Sequence, residues 1–407
     1  MKKIISSLIF SFFFLFCSAA DIYVNNSGQA GTYTTITAAL AAAAPNDNVY
    51  VSPYDSYTEN LTIFQNVTLA SAVSGTVFNV VGTLTINGAP NMNVRIIGAE
   101  FSGNLTANTG GAGLNTKSDV YVVESSFNSI AALDFVRMHI LFCDADMNIS
   151  MRHGEIRGNS NLGDVTIPDG PNAGVGDTLF IVGNSFTTNH RLSWGNDDNY
   201  FFIANNYIYT TNAGYRAFAN SKHHYNSSVN NLVLNNIFSV SSASSSYFTA
   251  YYSNSTSNAD NVICYNNVFE NRSTSNSYYA RCFYCTSPGD TQLYYNYCKG
   301  ASTGATNGGS KVVGNISYNY NSANLVYEND GTCNDPKLVN QGSPSLQYYD
   351  IDLTRNDIGT FGGPYSIKNY HSDSTSLGKA RVYDLDMPFE IWSGQTPTVK
   401  AKGTHTK

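Results

Sequence analysis

Two segments in the middle of the chain carry cations and aromatic rings, and the first of them also carries carboxylates; these are side chains that recognise sugars. The first is NHRLSWGNDDN at 189–199, which contains His190, Arg191, Trp194, Asp197 and Asp198. An aromatic ring packs on the apolar face of a sugar, and neighbouring carboxylates accept hydrogen bonds from its hydroxyl groups. We therefore predict that Trp194, His190, Asp197 and Asp198 bind substrate. A polar loop anchored by one tryptophan is the structural alternative.

The second segment is YRAFANSKHHY at 215–225, which contains Arg216, Lys222 and His223. Elimination on a 4-linked uronic acid needs a base at C5 and a cation on the carboxylate. Lys222 or His223 fits the base, and Arg191 or Arg216 fits the carboxylate clamp. Solvated turn residues would produce the same pattern without catalysis.

A pair of aspartates, Asp144 and Asp146, is the candidate metal site of the chain. Together with Asp164 or Asp177 they would offer the several carboxylate oxygens that Ca²⁺ prefers. Aspartate is also frequent in turns, because it tolerates the left-handed conformation and bonds its own backbone. Calcium is thus the one cofactor that the sequence suggests, with turn geometry as the alternative.

Composition limits the class of partner. The net charge of −7 gives no basic face for nucleic acid. The 29 tyrosines suit a surface that binds sugars by stacking and hydrogen bonding, although stacked strands with polar turns have a similar composition. The titratable residues concentrate in the middle of the chain, which holds five of the seven histidines: His139, His153, His190, His223 and His224.

The first twenty residues have the features of a signal peptide. Lys2 and Lys3 precede an apolar run over 4–16 that is too short to span a bilayer, and Ser18-Ala19-Ala20 offers a cleavage site. We expect residues 1–20 to be removed and the protein to be secreted or held at the outer cell surface. Cys17 leaves a lipoprotein signal as an alternative.

Six cysteines follow the signal peptide: Cys143, Cys264, Cys282, Cys285, Cys298 and Cys333. In an exported protein the default expectation is disulfide bonds. A four-thiolate zinc site and buried free thiols are the alternatives, since Cys282 and Cys285 are spaced like zinc ligands.

A repeated strand motif organises the chain around these residues. FIVGNSF, FIANNYI, LVLNNIF and VICYNNVF place Asn184, Asn206, Asn236 and Asn267 at spacings of 22, 30 and 31 residues. Such a period is the signature of a solenoid. We expect one asparagine of each motif to occupy a sharp left-handed corner and to stack in a hydrogen-bonded ladder. The apolar residues two positions later, Phe186, Ile208, Phe238 and Phe269, should form a second stack.

On these motifs the chain resembles the pectate-lyase-like superfamily of right-handed parallel β-helices. The segment 33–63, with an Ala-rich stretch followed by Tyr57-Thr58-Glu59-Asn60, is similar to the N-terminal cap of those proteins, and 350–364 to their closing segment. The resemblance implies an all-β right-handed parallel β-helix over residues 21–365 with a short N-terminal capping helix. About 25 residues per coil predict roughly 12 coils. Residues 366–407 form a tail that alternates like surface strands.

The fold hosts lyases, hydrolases, esterases and adhesins, so it does not name an activity. The motifs of the known enzyme families are not recognisable in this chain. We therefore predict a bacterial protein that binds extracellular polysaccharide or serves as a surface or adhesive protein. The alternative is a carbohydrate-active enzyme with a groove on the middle coils, and a polysaccharide lyase fits better than a glycoside hydrolase.

Overall fold

The computed structural model describes residues 19–88, 90–108, 118–132, 136–168, 178–195, 200–211, 216–220, 231–241, 248–253, 262–272, 280–285, 291–300, 306–307, 311–319, 322, 324–326, 335–350, 352–367, 370, 381–386 and 400–404. Within these residues the regular secondary structure is almost entirely β-strand. None of the helices there has the length and apolar character of a membrane-spanning segment.

The largest sheet, sheet A, contains thirteen described strands, all paired in parallel. They are β1 (Asp21–Val24), β2 (Asp47–Val51), β5 (Val67–Ser71), β8 (Asn93–Ile97), β11 (Ser118–Val123), β13 (Val136–Leu141), β15 (His153–Arg157), β17 (Thr178–Val182), β19 (Tyr200–Ala204), β22 (Asn231–Leu234), β25 (Val262–Tyr265), β28 (Thr291–Tyr294) and β31 (Lys311–Val313).

Sheet B is a second parallel sheet, of eleven described strands. They are β4 (Leu61–Ile63), β7 (Leu84–Ile86), β10 (Leu105–Ala107), β12 (Ser129–Ala132), β14 (Asn148–Ser150), β16 (Val165–Ile167), β18 (Leu192–Trp194), β21 (Arg216–Asn220), β24 (Phe248–Ser253), β27 (Ala280–Cys285) and β30 (Thr306–Asn307).

A third face is divided into two parallel sheets. Sheet C holds β20 (Tyr207–Thr210), β23 (Ile237–Val240), β26 (Val268–Asn271), β29 (Tyr297–Gly300) and β32 (Ile316–Asn319), and sheet D holds β3 (Ser56–Tyr57), β6 (Phe78–Val80) and β9 (Ala99–Phe101). Along the chain the strands alternate between sheets A and B, and a third-face strand lies between them in the early coils (β3, β6, β9) and the late coils (β20 onward). From β11 to β18 the described strands belong to sheets A and B alone. This is a parallel β-solenoid, as the repeat predicts.

The interior is a set of apolar stacks. Successive sheet A strands pair Val49 with Leu69, Leu69 with Ile96, Ile96 with Val122 and Val122 with Ile140, and all five side chains are fully buried. Burying one such side chain contributes about 1.5–3 kcal/mol. The alternation of a strand sends every second residue inside, so the remaining residues form the outer faces.

The two asparagines of each repeat have separate structural roles. Asn205, Asn235 and Asn266 have φ values of 54°, 53° and 56°, the left-handed region that asparagine tolerates better than most residues. The following residues, Asn206, Asn236 and Asn267, are fully buried. The expectation that one asparagine forms both the corner and the ladder is therefore wrong: the structure divides the two roles between neighbours, whose side chains point in different directions.

The buried asparagines form the predicted ladder. The side-chain oxygen of Asn236 accepts from the backbone N–H and the Nδ2 of Asn206, both at 2.9 Å. Its own Nδ2 donates at 2.9 Å to the carbonyls of Ile203 and Leu234 and to Oδ1 of Asn267. The pattern extends from Asn159 through Asn184 and Asn296 to Asn315. Because every amide is paired, burial carries no penalty for an unsatisfied group.

The second predicted stack is confirmed. Phe186, Ile208, Phe238 and Phe269 are all buried. The rings of Phe238 and Phe269 are stacked with centroids 5.8 Å apart.

A helix, α1 (Ile36–Ala42), occupies the Ala-rich segment as predicted. The Thr35 side chain caps it by accepting from Ala38 N at 3.2 Å. The Glu59 carboxylate accepts from the N–H groups of Ile36 and Thr37, both at 2.9 Å. A carboxylate at this position favours the helix N-terminus electrostatically, so the Tyr-Thr-Glu turn holds the helix in place.

The C-terminal segment, described over 335–350 and 352–367, packs on the outside of the coils and contains a 3-10 helix at Leu346–Tyr348. Tyr348 and Tyr365 pack on sheet A, and Leu338 and Ile358 pack on sheet C. The left-handed asparagines bind it: Asn205 Nδ2 donates to Thr360 O (2.9 Å), and Asn235 Nδ2 to Asp357 O (2.8 Å). Beyond it, β33 (Arg381–Asp386) and β34 (Lys400–Thr404) pair antiparallel, in the tail where the sequence predicts surface strands.

The described cysteines are free thiols, so the disulfide expectation is wrong for them. They are all buried: Cys143, Cys264, Cys282, Cys285 and Cys298. Burial raises the pKa of Cys143 to about 12. These thiols behave as small apolar side chains of the core, while Cys333 lies outside the described residues.

Candidate functional site

Stacking of sheet B brings the predicted polar residues to one edge. Asp164 and Arg191 directly precede β16 and β18, and Arg216 is the first residue of β21. The parallel register pairs Val165 with Leu192 and Leu192 with Phe218. Because the starts of in-register parallel strands lie side by side, residues far apart in sequence become neighbours on consecutive coils.

His190 joins two aspartates at this edge. Its Nδ1 lies 3.2 Å from Asp164 Oδ1, and its Nε2 lies 3.3 Å from Asp146 Oδ1. Asp164 Oδ1 also accepts the backbone N–H of Arg191 at 3.0 Å. The Asp146 side chain is 57% exposed and that of His190 is 25% exposed. This histidine–aspartate cluster therefore presents carboxylate oxygens to solvent, where they can accept hydrogen bonds from hydroxyl groups.

The predicted calcium site is not formed by the described residues. Asp144 accepts a hydrogen bond from Asn161 Nδ2, and Asp146 contacts His190 instead. Nowhere in the described part of the chain do three or more His, Cys, Asp or Glu side chains gather as metal ligands. Asp144 lies in an isolated β-bridge with Ser160, while Asp177 lies outside the described residues.

Trp194 is the clearest correction among the site residues. Its side chain is completely buried, and its ring packs edge-on against Phe201 at 4.9 Å. Strand alternation places Leu192 and Trp194 inside and Ser193 outside. The predicted sugar-stacking role is therefore wrong, since no face of the ring reaches the surface.

Tyrosines farther along sheet B take the surface position instead. Tyr252 and Tyr284 are paired in register on β24 and β27, and their rings stack with centroids 5.5 Å apart. Both are partly exposed. The sequence analysis missed them; the available signal was two tyrosines at equivalent positions of successive repeats.

Arginines lie over both rings. The guanidinium of Arg216 lies 3.1 Å from the centroid of Tyr252, and that of Arg281 lies 4.5 Å from Tyr284. Burial lowers the pKa of Arg216, the Tyr252 hydroxyl raises it, and the positive charge of Arg191 lowers it further. Arginine stays protonated in proteins. We define Arg191, Arg216, Tyr252, Arg281 and Tyr284 as the arginine–tyrosine face.

The structure thus brings together part of the predicted site. Arg191 and Arg216, the two predicted carboxylate clamps, interact electrostatically, and His190 and Asp146 are in contact. The remaining predicted residues, Lys222, His223, Asp197 and Asp198, lie outside the described residues.

A second titratable cluster lies on the outer face of sheet A. His139 Nδ1 is 2.7 Å from Glu155 Oε1, and its Nε2 is 3.1 Å from Asp119 Oδ1. Arg137 and Arg157 pair with these carboxylates at 2.8 Å and 2.6 Å. The Tyr121 ring stacks on His139 at 4.2 Å.

Charge pairing inside this sheet A cluster shifts its pKa values. Burial alone would lower the pKa of His139, but hydrogen bonds to Asp119 and Glu155 raise it above its ordinary value. Burial would raise the pKa of Asp119, but hydrogen bonds from His139 and Arg137 lower it. The cluster compensates its own charges, which is typical of a structural network rather than a substrate site. Sequence reasoning had noted His139 but not the carboxylates that pair with it.

No protein-family model, curated protein or solved structure matches this chain. The identification of a parallel β-solenoid therefore depends on the strand pairing itself, and function has to be inferred from the side chains of its outer faces.

Proposed function

We propose that this protein binds an acidic polysaccharide along the outer face of sheet B, outside the cell or at its surface. The observation that carries the proposal is the arginine–tyrosine face, where the partly exposed Arg216 and the buried Arg281 lie over two stacked, partly exposed tyrosine rings on adjacent coils. Arginine pairs with carboxylates in a planar, two-bond geometry. A tyrosine ring offers an apolar surface and a hydroxyl to a sugar.

The arrangement also lowers the cost of binding. A guanidinium held over an aromatic ring has already lost part of its conformational freedom, so less is lost when the ligand arrives. Equivalent positions on neighbouring coils lie about 4.8 Å apart, which gives a regular row of contacts to a regular polymer. The histidine–aspartate cluster near the same edge supplies acceptors for sugar hydroxyls.

The test compares acidic and neutral polymers. We expect polygalacturonate or alginate to bind in calorimetry, with weaker binding at high salt, and dextran to bind much less. Arg216→Gln should reduce the affinity for the acidic polymer about tenfold, equivalent to ~1.4 kcal/mol. The matched control is Arg137→Gln, which removes an arginine paired with Asp119 on sheet A. Equal binding of dextran, or equal loss in both variants, would contradict the proposal.

Several finer features belong to the same proposal. These are membership of the pectate-lyase-like superfamily, a right-handed solenoid of roughly 12 coils, and a capping role for α1. The contacts of α1 with β1, β2 and β4, the first strands of sheets A and B, support the capping role.

Export is proposed on the signal-like segment 1–20. Asp21, the expected first residue after cleavage, is also the first residue of β1. Mass spectrometry of the protein recovered from the medium or outer surface of an expressing bacterium should give Asp21 as the N-terminal residue, and an uncleaved chain would contradict export by this route.

Polysaccharide lyase activity is a second candidate. Arg191 beside Arg216 is the observation that favours it, because two nearby cations can neutralise the carboxylate next to the C5 proton. Lys222 or His223, which follow β21 in the sequence, would be the base. Lyase action on polygalacturonate releases unsaturated products that absorb in the ultraviolet. Binding without such products would exclude a lyase acting on that polymer and leave the binding proposal intact.

A further inference from the structure

A pocket opens on the outer face of sheet A, near its N-terminal end. Its volume is about 480 Å³, and its walls include Tyr50, Thr68, Ser71, Arg95, Glu124 and Gly403. Binding sites for small organic ligands commonly fall within about 300–1,000 Å³. The pocket is therefore large enough for a monosaccharide, and it lies on a different sheet from the arginine–tyrosine face.

Among the described residues that line this pocket, Arg95 is the one cation. It pairs in register with Thr68 on one side and Tyr121 on the other. Its Nε is buried without a hydrogen-bond partner. Arg137 and Arg157 on the same sheet have carboxylate partners, Asp119 and Glu155, whereas the Arg95 guanidinium lies over the Tyr121 ring. A carboxylate ligand would bind the terminal nitrogens of this guanidinium, in the planar two-bond geometry that arginine offers to carboxylates.

The position of the Arg95 guanidinium is set by aromatic stacking. It lies over the Tyr121 ring at 5.2 Å from the centroid, and the Tyr121 ring stacks in turn on His139 at 4.2 Å. The His139 ring is held by Asp119 and Glu155. The sheet A cluster thus fixes the platform on which Arg95 rests, and this preorganisation favours binding.

The pocket also contains hydrogen-bond acceptors. Thr76 Oγ1 donates to Val73 O at 2.6 Å, so its single proton is engaged. The 2.9 Å contact between Ser71 Oγ and Thr76 Oγ1 must then use the Ser71 proton, which leaves Ser71 Oγ as an acceptor. Glu124 brings a carboxylate to the same pocket. A ligand that fits must present an anionic group to Arg95 and hydroxyl donors to Ser71 and Glu124.

We propose that this pocket binds a single hexuronic acid, with its carboxylate on Arg95 and its hydroxyl groups on Ser71 and Glu124. A singly charged, hydroxyl-rich sugar acid satisfies both kinds of group. A multiply charged anion would be repelled by Glu124. The inference is independent of the polymer-binding face on sheet B, although both sites select uronic acids.

The experiment measures monosaccharide binding by calorimetry with the full chain. The probes are galacturonate and glucuronate, with galactose and inorganic phosphate as controls. We expect saturable binding of at least one uronate, at least tenfold weaker in Arg95→Gln and unchanged in Arg216→Gln. Thr68→Trp, which fills the pocket while keeping Arg95, should abolish binding, whereas Thr68→Val should retain it. Thermal denaturation verifies that each variant folds. If Thr68→Trp does not fold, the result for Arg95→Gln decides the test.

Three outcomes would overturn the pocket proposal: neither uronate binds, Arg95→Gln binds as well as wild type, or galactose or phosphate binds as tightly as the uronate. Loss of monosaccharide binding in Arg216→Gln alone would place the acid on sheet B and refute the pocket, with the polymer proposal standing. If the polymer does not bind but the uronate binds in a way that depends on Arg95, the polymer proposal is refuted and the pocket proposal stands.

Discussion

The asparagine ladder and the arginine–tyrosine face are both polar regions repeated from coil to coil, yet their side chains are used differently. Asn236 is fully buried and makes two hydrogen bonds as acceptor and three as donor, all within the solenoid. Arg216 and Tyr252 lie partly exposed on the outside of sheet B. A polar group whose bonding capacity is satisfied inside the fold specifies structure, whereas a preorganised group at the surface can serve a ligand.

The His139 cluster on sheet A shows an intermediate case. Its charges are compensated by one another, yet its outermost ring, Tyr121, supports Arg95 at the edge of a pocket. A structural network can therefore hold a binding residue in place without contacting the ligand itself. The following variants test this division, from the largest expected effect to the smallest.

The largest effect is expected for Asn236→Ala in the middle of the ladder. The substitution leaves the buried N–H of Asn206 and the carbonyl of Ile203 without this partner. We expect a loss of about 3 kcal/mol in the free energy of unfolding, measured by denaturant titration. Asn315→Ala, at the half-buried end of the ladder, is the control and should cost less. Equal losses would show that the ladder does not stabilise through burial.

The next effect concerns ligand binding without a change in stability. Tyr252→Ala removes the ring beneath Arg216, and we expect the affinity for polygalacturonate to fall about tenfold, ~1.4 kcal/mol. The control is Tyr294→Ala, from the Tyr265–Tyr294 stack on sheet A. A comparable loss of affinity in the control would mean that stacked tyrosines matter generally and not through the arginine–tyrosine face.

A smaller effect is expected at the left-handed corner. Asn235→Gly keeps a residue that accepts positive φ but removes the bonds to Asn356, Asp357 and Gly359. We expect a loss of about 1 kcal/mol and faster proteolysis within 335–367. The control is Asn161→Gly, at a left-handed corner where the asparagine side chain donates to Asp144. This variant should leave the rate of cleavage within 335–367 unchanged. Protection of the segment in Asn235→Gly would refute its attachment through this corner.

The smallest effect is a pH dependence of stability from His139. Its folded pKa is raised, so its contribution is complete below the unfolded value of about 6.5 and is lost as pH rises through the folded pKa. The contribution should be below about 1 kcal/mol, because desolvation of the buried imidazole opposes the gain from its hydrogen bonds. His139→Gln should flatten the decline in melting temperature between acidic and mildly alkaline pH. A decline identical to that of wild type would assign the dependence to other groups.

The success and failure of sequence reasoning can be traced to particular residues. The repeat of Asn184, Asn206, Asn236 and Asn267 predicted the solenoid and its ladder, because stacking identical coils requires the same residue types at the same corner. The Ala-rich helix followed from a local motif, whereas its contact with Glu59 became visible only in the structure. Trp194 was misplaced, since a strand of three residues gives too little alternation to identify its inner face. Tyr252 and Tyr284 were overlooked in a segment rich in similar residues.

By itself, the sequence determined the stacking of parallel coils, the buried asparagine ladder and the apolar stacks, since these follow from periodic residue types. Only the tertiary structure decided which polar residues meet. His139 contacts Asp119 and Glu155, which lie on different coils, and Asp146 contacts His190, which lies on a later coil. Pairing between coils depends on the number of residues in each connection, which periodicity does not specify. The outer faces of the solenoid, where ligands would bind, are therefore set by packing and not by the repeat.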